Sequence, residues 1–192
     1  MNICSRGRQT SRGRTNDLRW CIRKRSGFLH RPDGVVLRER DAPVKIALVC
    51  TQGGHLTETL QILEAFEGHD IFFATHHSAR DDDLRKIAPA YFCKGINANP
   101  LLFLLTFPWA LKVILRERPQ VIFSPGAEIA LPFFFWGKLL RIKSIYLESW
   151  CRVNDLSIAG RISYPFVDTF YVQWPQLLRV CGSKAKYFGS VV

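Results

Sequence analysis

The sequence lacks most of the features that announce common ligand chemistries. Its six cysteines (Cys4, Cys21, Cys50, Cys93, Cys151 and Cys181) form no C-x-x-C pair and no zinc-ligand spacing. No metal site is therefore expected, and isolated thiols in or beside predicted strands point to a reducing compartment rather than a disulfide framework. There is no G-x-G-x-x-G fingerprint, and no acidic residue follows a predicted strand at the spacing a ribose requires, which argues against NAD. No Lys-Ser/Thr pair follows the one glycine-rich loop, so the P-loop reading fails as well. No cofactor is expected. Before Lys45 no apolar run exceeds Val35-Val36-Leu37, so that part offers neither a signal peptide nor a membrane helix, and the cytoplasmic side is the default.

What is present is ordinary in bulk and uneven in charge. Hydrophobic residues make up 47% and charged residues 22% of 192, enough for one well-buried domain. The net charge of +11 is concentrated early: residues 1–44 carry 11 Lys/Arg and 4 Asp/Glu, net +7, leaving +4 for the remainder. Residues 1–43 have no apolar period and end in Asp-Ala-Pro, and read as a basic, mostly disordered arm that includes a possible later translation start near Val44. A basic arm says little about the domain behind it.

From residue 44 onward the pattern is strand, loop, helix, repeated. Apolar runs at 46–50, 70–75, 90–93, 120–123, 143–147 and 169–172 read as strands, with a short terminal one at 186–188. Helices are predicted at 79–88 and 157–163, and two strongly apolar ones at 101–115 and 129–140. This alternation implies a Rossmann-like α/β domain, a parallel sheet with helices on both faces and right-handed crossovers, spanning 44–192.

The segment 101–115 (LLFLLTFPWALKVIL) is apolar nearly all round. Fifteen helical residues reach about 22 Å, short of the roughly 30 Å hydrocarbon core, and Pro108 would kink the helix, so it does not read as a spanning segment. Two readings stay open. It is a core helix under a neighbouring loop, or a re-entrant or interfacial element with Trp109 at headgroup level and Lys112, Arg116 and Arg118 facing anionic lipid. The Phe133-Phe134-Phe135-Trp136 cluster also exceeds what one sheet face consumes, and favours a membrane or partner contact. Leu104, Phe107, Trp109, Phe134 and Trp136 are the expected contact residues.

The stretch KIALVCTQGGHLTE places Gly53-Gly54-His55 where a strand gives way to a helix. A backbone anion nest there suits a pyrophosphate, with His55 as general base or phosphate hydrogen-bond donor, or else as a cap on its own helix. Glu128 and Glu148 sit at the ends of the fourth and fifth strands. In a parallel sheet all such ends share one edge, so His55, Glu128, Glu148 and Arg152 can converge. Glu128 can equally complement its helix dipole, and Glu148 can pair with Arg152. The pair His76-His77 reads as a solvated loop that can also reach this edge.

The strings GGHLTE, SPGAEIALPFFFWGKLL, IYLESWCRV and YVQWPQLL…KAKYFGS resemble the PssD-type subunit of bacterial polysaccharide glycosyltransferases. That family is related to the membrane-anchoring subunit of the eukaryotic enzyme that adds the second N-acetylglucosamine to dolichol-linked oligosaccharide. The resemblance implies the N-terminal, acceptor-binding half of a GT-B enzyme such as MurG, in a subunit peripheral at the cytoplasmic membrane face. A donor-binding glycosyltransferase partner would supply the UDP-sugar site, and the acceptor would be polyprenyl-diphosphate-linked. By the same resemblance Gly53, Gly54 and His55 face the acceptor diphosphate, Gly126 and Glu128 form the second loop, and Glu148 and Arg152 belong to a Glu-Ser-x-x-Arg segment. His55 and Glu128 are the expected catalytic residues, and Gly53, Gly54, Glu148 and Arg152 the expected acceptor-binding ones. The MurG loop carries further glycines that are missing here, and the basic arm stands where the eukaryotic relative has a spanning helix. The competing readings are a catalytically inert membrane recruiter of an active partner and a nucleic-acid-binding module using the arm. Nucleic acid is not the expected partner, because the body lacks a basic groove interleaved with aromatics.

Overall fold

The computed structural model describes residues 42–95 and 99–191, so the basic arm and its expected disorder lie outside the described residues apart from Ala42 and Pro43. The strands are β1 (Lys45–Val49), β2 (Asp70–His76), β3 (Ala90–Cys93), β4 (Val121–Ser124), β5 (Lys143–Leu147), β6 (Thr169–Val172) and β7 (Ala185–Tyr187). They form one parallel sheet in the order β3-β2-β1-β4-β5-β6-β7. The helices are α1 (Gly54–Gln61), α2 (Asp81–Ile87), α3 (Pro100–Glu117), α4 (Ala130–Leu139), α5 (Ile158–Ser163) and α6 (Leu178–Cys181).

The strand runs are continuously apolar because both sheet faces are covered. Along β1, Ile46 and Leu48 pack on one side with Leu56 of α1 and Leu84 of α2, while Ala47 and Val49 pack on the other with Ala110 and Val113 of α3 and Phe133 of α4. The chain winds outward from β1 to β3, then returns through α3 to β4 and winds the other way. The order therefore reverses between β1 and β4, and a crevice opens there beyond the strands' C-terminal ends.

The helix α3 runs unbroken through Pro108 for 18 residues, three longer than the apolar run predicted. Asn99 caps it by accepting from Leu101 N (2.9 Å) and Leu102 N (3.4 Å), Pro100 occupies the first turn, and Arg118 at φ 49° closes it ahead of Pro119. Among the described residues no helix is long and apolar enough to cross a membrane.

The structure sorts the apolar excess into two stripes. Thr106, Ala110, Val113 and Ile114 face the core, whereas Leu101, Leu104 and Leu105 are exposed, Leu101 at 66% and Leu104 at 61%. Phe107 bridges to α4 by an edge contact with Phe135 (5.6 Å), and Trp136 Nε1 donates to the Phe107 carbonyl at 2.9 Å. Trp109 is half-buried against Phe133. Phe134 corrects the sequence reading: it is 0% exposed, turned onto Tyr146 and the core, and Phe135 and Leu139 are the exposed large apolar residues of α4 instead. Arg116 is exposed with its guanidinium over the Tyr91 ring, near the end of α3 away from Leu101 and Leu104.

Candidate functional site

Two loops form the floor of the crevice. The first leaves β1 through Thr51 and Gln52 and turns at Gly53, whose φ of 82° is a conformation that glycine adopts freely. Thr57 ties the turn down, its backbone N and its Oγ1 both donating to the Gly53 carbonyl at 3.1 Å. Gln52 holds the loop to the end of β2 by donating to the His76 carbonyl. Gly53 and Gly54 are exposed, and side chains built on either would meet nothing within 4 Å. The first turn of α1 thus opens onto free space.

The second loop leaves β4. Gly126 (φ 120°) and Ala127 (φ 78°) are successive left-handed residues, held by Ser124 Oγ, which accepts from Gly126 N at 3.0 Å. Left-handed backbone at a non-glycine residue stores about 1–3 kcal/mol and persists only where the surroundings enforce it. The two loops meet here. A Cβ on Gly126 would stand 3.3 Å from His55 Cε1 and 3.0 Å from the Tyr146 hydroxyl, so the imidazole lies directly on the Gly126 backbone.

Beneath the loops is a layer of buried polar groups. Glu58, 6% exposed, accepts through Oε1 from Trp150 N (2.8 Å) and Gln173 Nε2 (3.5 Å), while its Oε2 lies 3.6 Å from His55 Nδ1. Neither His55 Nδ1 nor Glu58 Oε2 has a hydrogen-bond partner, and both are shielded from solvent. Gln173 also donates to the Glu148 carbonyl (3.1 Å) and accepts from Val191 N (3.0 Å) and Ser190 Oγ (3.4 Å). Trp174 Nε1 donates to the Trp150 carbonyl at 2.7 Å.

Glu148 is 0% exposed, and its carboxylate is consumed internally: Oε1 accepts from Ser149 N (3.0 Å) and Oε2 from Ser157 N (3.1 Å). Burial raises its pKa, with these hydrogen bonds and the charge of Arg152 acting against the rise. Burial pushes the Cys50 and Cys93 thiols at the ends of β1 and β3 each up to about 12, which leaves neither as a ready nucleophile.

The profile of the family described as "Oligosaccharide biosynthesis protein Alg14 like" matches residues 85–191. A relative from Schizosaccharomyces pombe named UDP-N-acetylglucosamine transferase subunit alg14 is 47% identical over 168 residues, covering 72% of this chain and 79% of its own. This chain belongs to the Alg14-like family. A second member, the ALG14 subunit of Eremothecium gossypii, is 27% identical over 185 residues, covering 80% of this chain and 82% of its own. The Alg14-like fold is that of a GT-B half. Acinetobacter baumannii MurG superposes with a TM-score of 0.63 at 15% identity, over 77% of this chain and 45% of MurG, so the chain spans less than half of that solved structure.

Within this Alg14-like chain the structure brings His55 onto Gly126 at the crevice, beside Gly53 and Gly54, and turns the Glu148 carboxylate inward. Glu128 is exposed two residues beyond Gly126, and its charge acts on His76 and Cys93, which close β2 and β3 on this same strand-end edge. Glu148, expected to bind the acceptor, is withdrawn from solvent and braces its own loop through two backbone amides rather than the alternative pairing with Arg152, which is exposed. Of the histidine pair, His77 is solvated and bonded to Asp81 (2.7 Å), whereas His76 is buried in β2. Sequence reasoning missed Glu58, Gln173 and Tyr146. The available signal for Glu58 was its place three residues after His55, one helical turn away on the same side of α1.

Proposed function

We propose that this chain is the acceptor-binding half of a two-subunit N-acetylglucosaminyltransferase that transfers sugar from UDP-N-acetylglucosamine to a polyprenyl-diphosphate-linked acceptor at the cytoplasmic membrane face. The observation that carries the reading is the pairing of an unobstructed glycine turn at the start of α1 with an imidazole wedged against Gly126. Open backbone amides at a helix N-terminus suit a diphosphate, and a histidine one residue further suits deprotonation of the adjoining sugar hydroxyl. In the transfer the acceptor oxygen bonds to C1 of the donor sugar, the C1–phosphate bond breaks with its electron pair leaving on UDP, and His55 Nε2 takes the hydroxyl proton. The relatives' name, transferase subunit, supports a partner that contributes the donor side.

The exposed apolar stripe supports the membrane part. In a right-handed crossover α3 starts on the edge where the parallel strands end, so Leu101, Leu104 and Leu105 lie on the crevice side of the molecule. An acceptor whose tail is in a bilayer would then meet the glycine turn beside a surface able to enter that bilayer.

Transfer from UDP-N-acetylglucosamine is to be measured with the chain alone, its partner alone and both, with wild-type and His55→Ala chains. Activity is expected only from the pair, and a fall of about 10²–10⁴-fold in turnover for His55→Ala with the complex intact. Full activity from the chain alone would sink the two-subunit reading. Unchanged turnover in His55→Ala would leave the chain a recruiter.

A further inference from the structure

We propose that Glu58 is a positioning residue that fixes the tautomer of His55, holding the proton on Nδ1 and leaving Nε2 bare toward the crevice. The inference rests on reading His55 as the base, and it follows from which atoms around Glu58 are already committed. Gln173 Oε1 accepts from Val191 N and Ser190 Oγ, so the amide group it turns toward Glu58 is its donor, Nε2. Trp150 N also can only donate. Both donors act on Oε1, which leaves Oε2 as the free acceptor of a carboxylate 6% exposed. The ring nitrogen it faces is His55 Nδ1, itself without a hydrogen bond, at 3.6 Å.

A carboxylate offers no proton, so the compatible imidazole carries N–H at Nδ1. The gap exceeds a hydrogen bond by about 0.6 Å, within the looseness that catalytic pairs show before substrate tightens them. Glu58 touches no reacting atom in this scheme. It acts by holding the imidazole ring, as the carboxylate does in a Ser-His-Asp triad.

Glu58→Gln gives a sharp test, because the two donors on Oε1 dictate how the new amide must sit. Its oxygen stays with Trp150 N and Gln173, its NH₂ turns to His55, and a donor facing Nδ1 requires that nitrogen to be bare. The proton is forced onto Nε2, the atom that must accept. The measurement is the pair of imidazole ¹⁵N shifts of His55 in the full chain at neutral pH, its signals identified by their loss in His55→Ala. Nδ1–H is expected in the wild type and Nε2–H in Glu58→Gln, with turnover in the reconstituted pair falling about 10²–10⁴-fold and complex formation retained. A wild-type His55 carrying its proton on Nε2, or a Glu58→Gln chain with an unchanged tautomer, overturns the assignment. A flipped tautomer with unchanged turnover supports the positioning role and counts against His55 as the base, which separates the two claims.

Discussion

Gly54 and Gly126 flank the same imidazole and are glycines for opposite reasons. Gly126 is confined from below by Tyr146 and from the side by His55, and its φ of 120° excludes most side chains. Gly54 has ordinary helical backbone and empty space in front of it. Gly54→Ala is therefore expected to leave stability unchanged or improve it by about 0.4–1 kcal/mol through the unfolded chain, yet to raise KM for the lipid-linked acceptor. Urea unfolding and acceptor titration check the two halves, and an unaltered KM would remove the diphosphate from this turn. His76 carries a pH signature. Burial holds its pKa below the usual range, with the Glu128 charge pulling the other way. The folded state resists protonating it while the unfolded chain does not, so stability is lost as pH falls through the ordinary histidine value of about 6.5. In His76→Gln the difference between urea midpoints at pH 7.5 and 5.5 is expected to narrow; an undiminished difference would place the acid sensitivity elsewhere.

At the scale of elements the apolar surface is divided between two helices, and the proposed membrane contact can be tested on each. The pair Leu104→Asp and Leu105→Asp removes two exposed leucines, each able to contribute about 1.5–3 kcal/mol when fully buried, and is expected to cut vesicle binding by at least about 10-fold while leaving thermal stability in place. Phe134→Ala should do the reverse, costing about 3–5 kcal/mol of stability with vesicle binding retained. Flotation with liposomes and denaturant unfolding of both variants would expose a wrong division. These helices also mark how far the sequence could be read. The strands were legible because a sheet covered on both faces demands unbroken apolar runs. In Phe133-Phe134-Phe135-Trp136, by contrast, every residue is aromatic, and the 100° step that separates core from surface leaves no trace in composition. Glu58 was hidden for another reason: its partners Trp150 and Gln173 are 92 and 115 residues away, and an isolated glutamate on a helix reads as solvated until those elements are placed.

At the scale of the whole molecule, the glycine turn and the Gly126 loop meet where the strand order reverses between β1 and β4. The fold superposes on 45% of MurG, and under the two-subunit proposal the donor side of the cleft is contributed by a partner. If that proposal holds, the chain alone is expected to be silent in the transfer assay, because the donor sugar would arrive with the partner. The central pairing that makes the floor has a cost in time. Ile46 lies beside Val121, 75 residues later, and His55 reaches Gly126 only through that register. Loop closure over such a separation is entropically slow, so helices such as α3 can form early while the competent crevice is among the last features to appear during folding. Any variant that weakens the β1–β4 ladder would accordingly lower the yield of working subunit before it altered the rate at which each folded copy turns over.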